Sequence, residues 1–229
     1  VWSITNWYRP RAYYAQGGWR GTWWGEGGGV LLNQCPHQLD LFTWLAGLPE
    51  SVTATLATRG RDINVENDVT AYCKFKNGAT GVFITSTHDA PGTNRLEITG
   101  DGGKIVIEKG KLVFTENKTP EPEFSRVNEV FMGKPKNKKH VYRGIGEYLA
   151  IFKRPFQHLG IIRNYTDYLL GKTDKFIAPG REGITGLTFS NAIHLAGWTG
   201  KEVRLPLDEE QFIAELEKRK EEEKASSKK

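Results

Sequence analysis

The sequence predicts an α+β fold, an open antiparallel β-sheet with helices on one face. Three observations carry that prediction. Short β segments follow one another between residues 51 and 116, joined by turns too short for crossover helices. Helical periodicity flanks this run on both sides. No apolar stretch approaches the roughly eighteen residues that a membrane span needs, and the composition is that of an ordinary globular chain.

A length of 229 residues suits one large domain with a tail. The domain is expected over residues 1–207, and an amphipathic helix with a charged tail over 208–229. Residues 1–8 alternate aromatic and polar types, which predicts a strand and not a signal peptide. Residues 9–26 form a Gly-rich loop holding Tyr13, Tyr14, Trp19, Arg20, Trp23 and Trp24. Loops so rich in large rings seldom serve only as connectors. Gly27, Gly28 and Gly29 then lead into a helix whose apolar positions end in Leu41, Phe42, Trp44 and Leu45, with Gly47 and Pro49 as stop signals.

Six β segments are expected next, near 51–58, 68–76, 80–87, 94–99, 104–108 and 112–116. Asn77-Gly78, Asp101-Gly102-Gly103 and Lys109-Gly110 supply the turns of a meander. Residues 117–142 are rich in Pro and Lys and read as a long irregular excursion. A helix is expected over 156–170, with Leu159, Ile162, Tyr165, Tyr168 and Leu169 on one face and Gly171 as its stop. A third helix follows over 181–197, then a short strand at 203–205. Asp208 can cap a last helix carrying Phe212, Ile213 and Leu216, and 217–229 reads as a fraying charged end.

The net charge of +5 equals the contribution of one run, Lys134, Lys136, Lys138, Lys139 and Arg143. No aromatic stacking platform is interleaved with it, so it reads as a solvated loop and not as a nucleic-acid surface. Two cysteines, Cys35 and Cys73, make neither a disulfide framework nor a four-ligand zinc site, so a reducing cytoplasm is the expected compartment.

The chemistry concentrates between Gly27 and Asp40. On a continuous helix Asn33, His37 and Asp40 fall at i, i+4 and i+7, placing an amide, an imidazole and a carboxylate on one face. An imidazole can take or give the proton of a substrate hydroxyl, an amide can orient that hydroxyl, and a carboxylate can fix the histidine tautomer. Pro36 leaves a second reading open, in which it marks the first turn of a helix and Asn33 leaves the shared face. A capped helix with one buried, satisfied histidine is the plainer alternative. No metal site is expected, since asparagine is a poor ligand and no second histidine is near.

Asn33 to Asp40 after the triple glycine, followed by Leu41-Phe42-Thr43-Trp44-Leu45-Ala46-Gly47, resembles the signature of the glucose-fructose oxidoreductase, inositol dehydrogenase and rhizopine catabolism family, Gfo/Idh/MocA. Tyr8-Arg9, Tyr13-Tyr14, Trp19-Arg20-Gly21-Thr22-Trp23, Glu66-Asn67-Asp68, the Gly78 hairpin, Glu97 to Gly103, Phe156-Gln157-His158 and Lys201 to Pro206 fit the same family. The resemblance is to its C-terminal, substrate-binding and oligomerising domain; the N-terminal Rossmann domain has no counterpart here. It implies that His37 is the acid/base residue and that Asn33 stands where an aspartate often hydrogen-bonds substrate; asparagine cannot itself accept a proton. It implies an NAD(P)-dependent oxidoreductase acting on a secondary alcohol of a sugar or polyol. NAD or NADP would be bound mainly by the missing Rossmann segment, and the present chain alone would be inactive. A homo-oligomer through the sheet face is expected.

Tyr14, Trp19, Arg20 and Trp23 are candidates for a sugar-stacking wall, with Asp40 and His88 as further substrate contacts. The rings serve equally well as a seal against the sheet or a neighbouring subunit. The competing function is a non-catalytic carbohydrate-binding or oligomerisation module.

Overall fold

The structure, a computed structural model, describes residues 1–143 and 158–226. It divides into two compact units, residues 1–97 with 185–229, and residues 98–184.

In the first unit β1 (Trp2–Asn6) is followed by a single turn of helix, α1 (Arg11–Tyr14), then by α2 (Val30–Asn33) and α3 (Pro36–Ala46). β2 (Ser51–Ala57), β3 (Asp68–Lys74), β4 (Thr80–Ser86) and β5 (Thr93–Gly100) come next. The strand order is β5-β1-β4-β3-β2, with a two-residue strand from near the C-terminus, Val203–Arg204, at the far edge against β2. Alternation decides which side is covered. Val69, Ala71 and Cys73 of β3 are buried while Thr70, Tyr72 and Lys74 between them are exposed, as period-two side-chain geometry requires of a sheet covered on one face. The core on the covered side is aromatic: Phe42 of α3 stacks on Phe189 at 5.3 Å and meets Phe83 of β4 edge-on at 5.8 Å.

Every expected strand of this unit is present, but the meander is interrupted. β4 and β5 are not neighbours; β1 lies between them, antiparallel to β5 and parallel to β4, with Trp2 opposite Val82 and Asn6 opposite Ser86. Turn dipeptides report only pairings between consecutive strands, so the insertion of a strand from the chain's beginning left no local signal.

In the second unit β6 (Gly103–Glu108), β7 (Lys111–Asn117) and β8 (Asn137–Arg143) form two antiparallel pairs. Lys109 and Gly110 both have positive φ, 51° and 69°, the backbone of a tight two-residue hairpin. The irregular excursion expected over 117–142 is corrected: it contains α4 (Glu121–Val127) and β8. The basic run falls largely on β8, where Lys138 stands opposite Glu116 and His140 stacks on Phe114. α5 (Leu159–Leu169) ends at Gly171, whose φ is 68°. Phe156 and Gln157, expected to open this helix, lie outside the described residues.

Two helices complete the first unit, α6 (Gly183–Thr199) and α7 (Glu209–Ser226), with β9 (Val203–Arg204) between them. Gly186 brings α6 against the Asp40 backbone, and at Gly197 a side chain would run into Leu56 of β2, so both glycines permit close packing. Asp208 caps α7, its Oδ1 accepting the Gln211 amide at 2.9 Å. The fraying end expected from residue 217 is instead helix through Ser226, and Glu223 within it is buried.

Candidate functional site

Construction of the site begins at Glu66, in the segment before β3. Its carboxylate is buried and accepts the Gly29 amide at 2.9 Å and the Leu31 amide at 3.1 Å, while its carbonyl accepts the Val30 amide. These are the unpaired donors at the start of α2, satisfied by a charged acceptor. Gly29 is obligatory, because a Cβ there would lie 1.9 Å from the Glu66 carbonyl oxygen. His194 of α6 packs behind, with Nε2 3.2 Å from Glu66 Oε2, within ion-pair reach but not aligned as a hydrogen bond, and Nδ1 3.0 Å from the Ser190 carbonyl. Within the glycine run the Gly29 amide is thus taken by a carboxylate of the chain and the Gly27 amide by the Trp23 carbonyl, which sets it apart from a loop that cradles a dinucleotide phosphate.

The continuous helix that would align Asn33, His37 and Asp40 is not formed. α2 ends at Asn33, Gln34 and Cys35 make a turn, and Pro36 starts α3 as its first helical residue. The missing Pro amide, one of the free donors of a first turn, explains the break at this place. His37 and Asp40 remain together, three residues apart on the exposed side of α3. Neither side chain makes a hydrogen bond among the described residues, so the proposed tautomer-fixing contact from the Asp40 carboxylate is not formed. His37 faces solvent and is not the buried, satisfied histidine of the plainer alternative.

Asn33 instead joins a polar cluster built by the aromatic loop. Its amide nitrogen donates to Glu26, and its oxygen lies 3.5 Å from the Tyr13 hydroxyl. That hydroxyl also receives Arg20 at 2.8 Å and Gln34 at 3.3 Å. Arg20 lies over the rings of Tyr13 and Trp19, at 4.8 and 4.4 Å from their centroids, and Arg9 lies 5.3 Å from the Tyr13 centroid. Burial pushes the Glu26 carboxyl above the ordinary carboxylate range, opposed by the Gly21 amide at 2.7 Å, the Asn33 amide and the Arg20 charge. The cluster thus presents an arginine and an amide beside aromatic faces, groups suited to hydroxyl and carboxylate recognition.

Trp19 and Arg20 are at the surface of this cluster. Tyr14 stands edge-on to Tyr13 and bonds Thr87 at 2.8 Å, its phenol raised chiefly by burial. Trp23, expected in the same wall, is only 8% exposed and packs edge-on against Trp198 and His194, so its ring supports the loop from the core side and does not face a ligand. His88 is elsewhere: it pairs with Asp68 at 2.6 Å in a cavity of about 470 Å³ lined also by Asn6, Thr70, Ser86 and Asp89, whose walls include none of Asn33, His37 or Arg20. Tyr13 and Glu26 were missed by the sequence reading as site residues. Glu26 is seven residues before Asn33 across a glycine run, and no periodic pattern crosses such a run.

Both cysteines are free and buried, and burial raises both thiols, Cys73 to about 12, so neither is a nucleophile near neutral pH. Among the described residues no group of three or more His, Cys, Asp or Glu is placed to hold a metal, and no helix is long and apolar enough to cross a membrane.

Residues 1–106 match the model of the GFO/IDH/MocA C-terminal domain. No curated protein matches the chain. Among solved structures it is similar to the WlbA dehydrogenase of Bordetella pertussis in complex with NADH and UDP-GlcNAcA, with 26% identity, a TM-score of 0.59, and coverage of 91% of this chain and 55% of that one. The WlbA enzyme of Chromobacterium violaceum, solved with the same two ligands, is 28% identical with the same coverage and TM-score. A levoglucosan dehydrogenase solved with NADH and levoglucosan shares the fold at 16% identity, a TM-score of 0.62, and coverage of 90% of this chain and 58% of that one. The chain spans little more than half the length of these solved proteins. The chain thus resembles the GFO/IDH/MocA C-terminal domain, by sequence over residues 1–106 and by fold over nine tenths of its length.

Proposed function

We propose that this chain is the substrate-binding half of an NAD(P)-dependent oxidoreductase acting on a secondary alcohol of a sugar or polyol. The observation that carries the reading is the pairing of a solvent-facing His37 at the start of α3 with the Tyr13–Arg20–Asn33–Glu26 cluster at the end of α2, across a two-residue break. The two WlbA relatives, which share this domain and were solved with NADH and a sugar nucleotide, support it.

The chemistry supplied by NAD or NADP would be acceptance of the substrate's hydride, and the cofactor would be held mainly by a nucleotide-binding half outside this chain. The chain's own residues do the rest. His37 takes the proton of the substrate hydroxyl as the carbonyl forms and returns it in the reverse direction. Asn33, fixed by Glu26, orients a hydroxyl as a neutral partner. Arg20 and Trp19, with Tyr14 and Asp40 at the margins, bind the sugar; His88 belongs to a separate cavity of the same unit.

The exposed face of α3 supports a covering nucleotide-binding half. Leu41, Trp44 and Leu45 follow His37 at helical spacing and are exposed, Trp44 to 78%. Three large apolar side chains in one stripe suit an interface. On the uncovered face of the sheet, Trp2, Val82 and Tyr72 stand in one row across β1, β4 and β3, with Trp2 56% exposed, which supports a homo-oligomer through that face. The two-part domain division expected at residue 207 becomes, in this reading, one substrate domain with α7 as an integral part.

The test is to supply the complete two-domain protein with NAD or NADP and a panel of sugars, sugar nucleotides and polyols, and to follow reduced cofactor. Substrate-dependent reduction is expected. Sugar binding without reduction of either cofactor would leave only a carbohydrate-binding module.

A further inference from the structure

Glu223 is the one buried residue of α7, 6% exposed near the end of an otherwise charged, solvated helix. Its two carboxylate oxygens reach some 200 residues back along the chain. Oε1 accepts the Trp23 amide at 3.2 Å and the Asn64 side-chain amide at 2.5 Å, and Oε2 accepts the Trp24 amide at 3.1 Å. Asn64 in turn donates its backbone amide to the Gly21 carbonyl at 2.8 Å. The helix is seated by a stack of rings and a cation: Phe212 lies on Trp198 at 5.4 Å, Trp198 meets Trp23, and Arg219 covers Trp198 at 4.5 Å while paired with Glu215.

The loop gripped in this way is the one that carries the ligand groups. Residues 19–20 lie just before the gripped amides, and the Gly21 amide binds Glu26, which holds Asn33. A Gly-rich loop with exposed rings has high conformational entropy of its own. A buried carboxylate that fixes two consecutive amides and a bridging asparagine removes much of it.

We infer that α7 is a strap that holds the aromatic loop in its ligand-facing conformation, and that Glu223 is a positioning residue for sugar recognition. The second half of this inference rests on the proposed function; the first half does not. Glu223 touches no ligand and acts through the loop backbone.

Amide hydrogen exchange of the 229-residue chain tests the strap, comparing Glu223→Ala and Glu223→Gln with Glu222→Ala, a change at the exposed neighbour. In Glu223→Ala the amides of Trp23, Trp24 and Gly21 are expected to exchange roughly tenfold faster or more, with β3 and β4 unchanged. Glu223→Gln, which keeps one acceptor oxygen, is expected to fall between. Protection of Trp23 and Trp24 equal to that in Glu222→Ala overturns the strap, as does faster exchange at those two residues with Gly21 unaffected, since Glu223 would then be a local cap only. With UDP-GlcNAcA as probe, calorimetric affinity is expected to drop about tenfold in Glu223→Ala and to be partly restored in Glu223→Gln. Equal affinity in all three variants overturns the positioning role. If the unaltered chain does not bind the probe, the proposed sugar site is at fault, and amide exchange still decides the strap.

Discussion

Replacing Glu66 by alanine removes the anchor of α2, and its cost can be worked from the contacts. The carboxylate is 3% exposed and accepts two backbone amides, Gly29 and Leu31, at 2.9 and 3.1 Å. A hydrogen bond to a charged group contributes about 1.5–3 kcal/mol, and buried donors left without an acceptor forfeit that much. Two such amides give about 3–6 kcal/mol. For a chain of this length each kcal/mol moves Tm by roughly 2–4 °C, so Tm is expected to fall by about 6–24 °C. Urea unfolding followed by circular dichroism is the assay, with the midpoint lowered and the slope unchanged. Glu66→Gln is expected to lose less, because Oε1 alone accepts both amides and a glutamine with its oxygen in that place keeps both acceptors while giving up only the charge. A loss below about 1 kcal/mol in Glu66→Ala, the scale of an ordinary surface change, would refute the anchoring argument.

Further expectations follow from other parts of the structure. Phe189→Ala opens a cavity between Phe42 and Phe83 and is expected to cost about 3–5 kcal/mol by the same urea assay, a smaller loss meaning that the ring stack collapses to fill the space. Glu26 has its carboxyl raised by burial, so the folded chain holds a proton that the unfolded chain releases; the corresponding stability is present at pH below the ordinary carboxylate range and is lost as pH rises through the raised value. Glu26→Gln is expected to flatten that part of the pH–stability curve, and an unchanged curve would count against a buried, titrating carboxyl. Trp2→Glu places a charge in the Trp2–Val82–Tyr72 row and is expected to shift sedimentation toward the monomer, whereas an unaltered distribution would exclude this face as the oligomer contact.

How much of this was legible in the sequence varies with the range of the forces involved. β3 and β4 and their hairpin were readable because period-two alternation and Asn77-Gly78 are local signals, and the structure keeps them within one or two residues. The helix was readable from the spacing of Leu41, Phe42, Trp44 and Leu45, but of these only Phe42 enters the core, because apolar spacing alone does not say which side of a helix is covered. The β1 insertion was not, because pairing between residues about eighty apart leaves no mark on either strand. Strand β8 was hidden by its lysines, which suit an exposed strand opposite Glu116 as well as they suit a loop. In the candidate site, His37 and Asn33 were legible as residue types in a pattern, and Pro36 gave fair notice of the break between them. Trp23 was misplaced because ring content cannot say which ring of a loop faces inward. Glu223 was hidden within a run of glutamates whose neighbours are exposed; only the contact with Trp23 and Trp24 distinguishes it.

Turnover by His37→Ala, in this chain joined to the proposed nucleotide-binding half, is the most direct measurement of the central claim. The side chain is exposed, so its removal leaves folding intact, and kcat/KM is expected to fall by about two to four orders of magnitude with sugar affinity little changed. Turnover equal to that of the unaltered enzyme would contradict the assignment of His37 as the group that moves the substrate's proton.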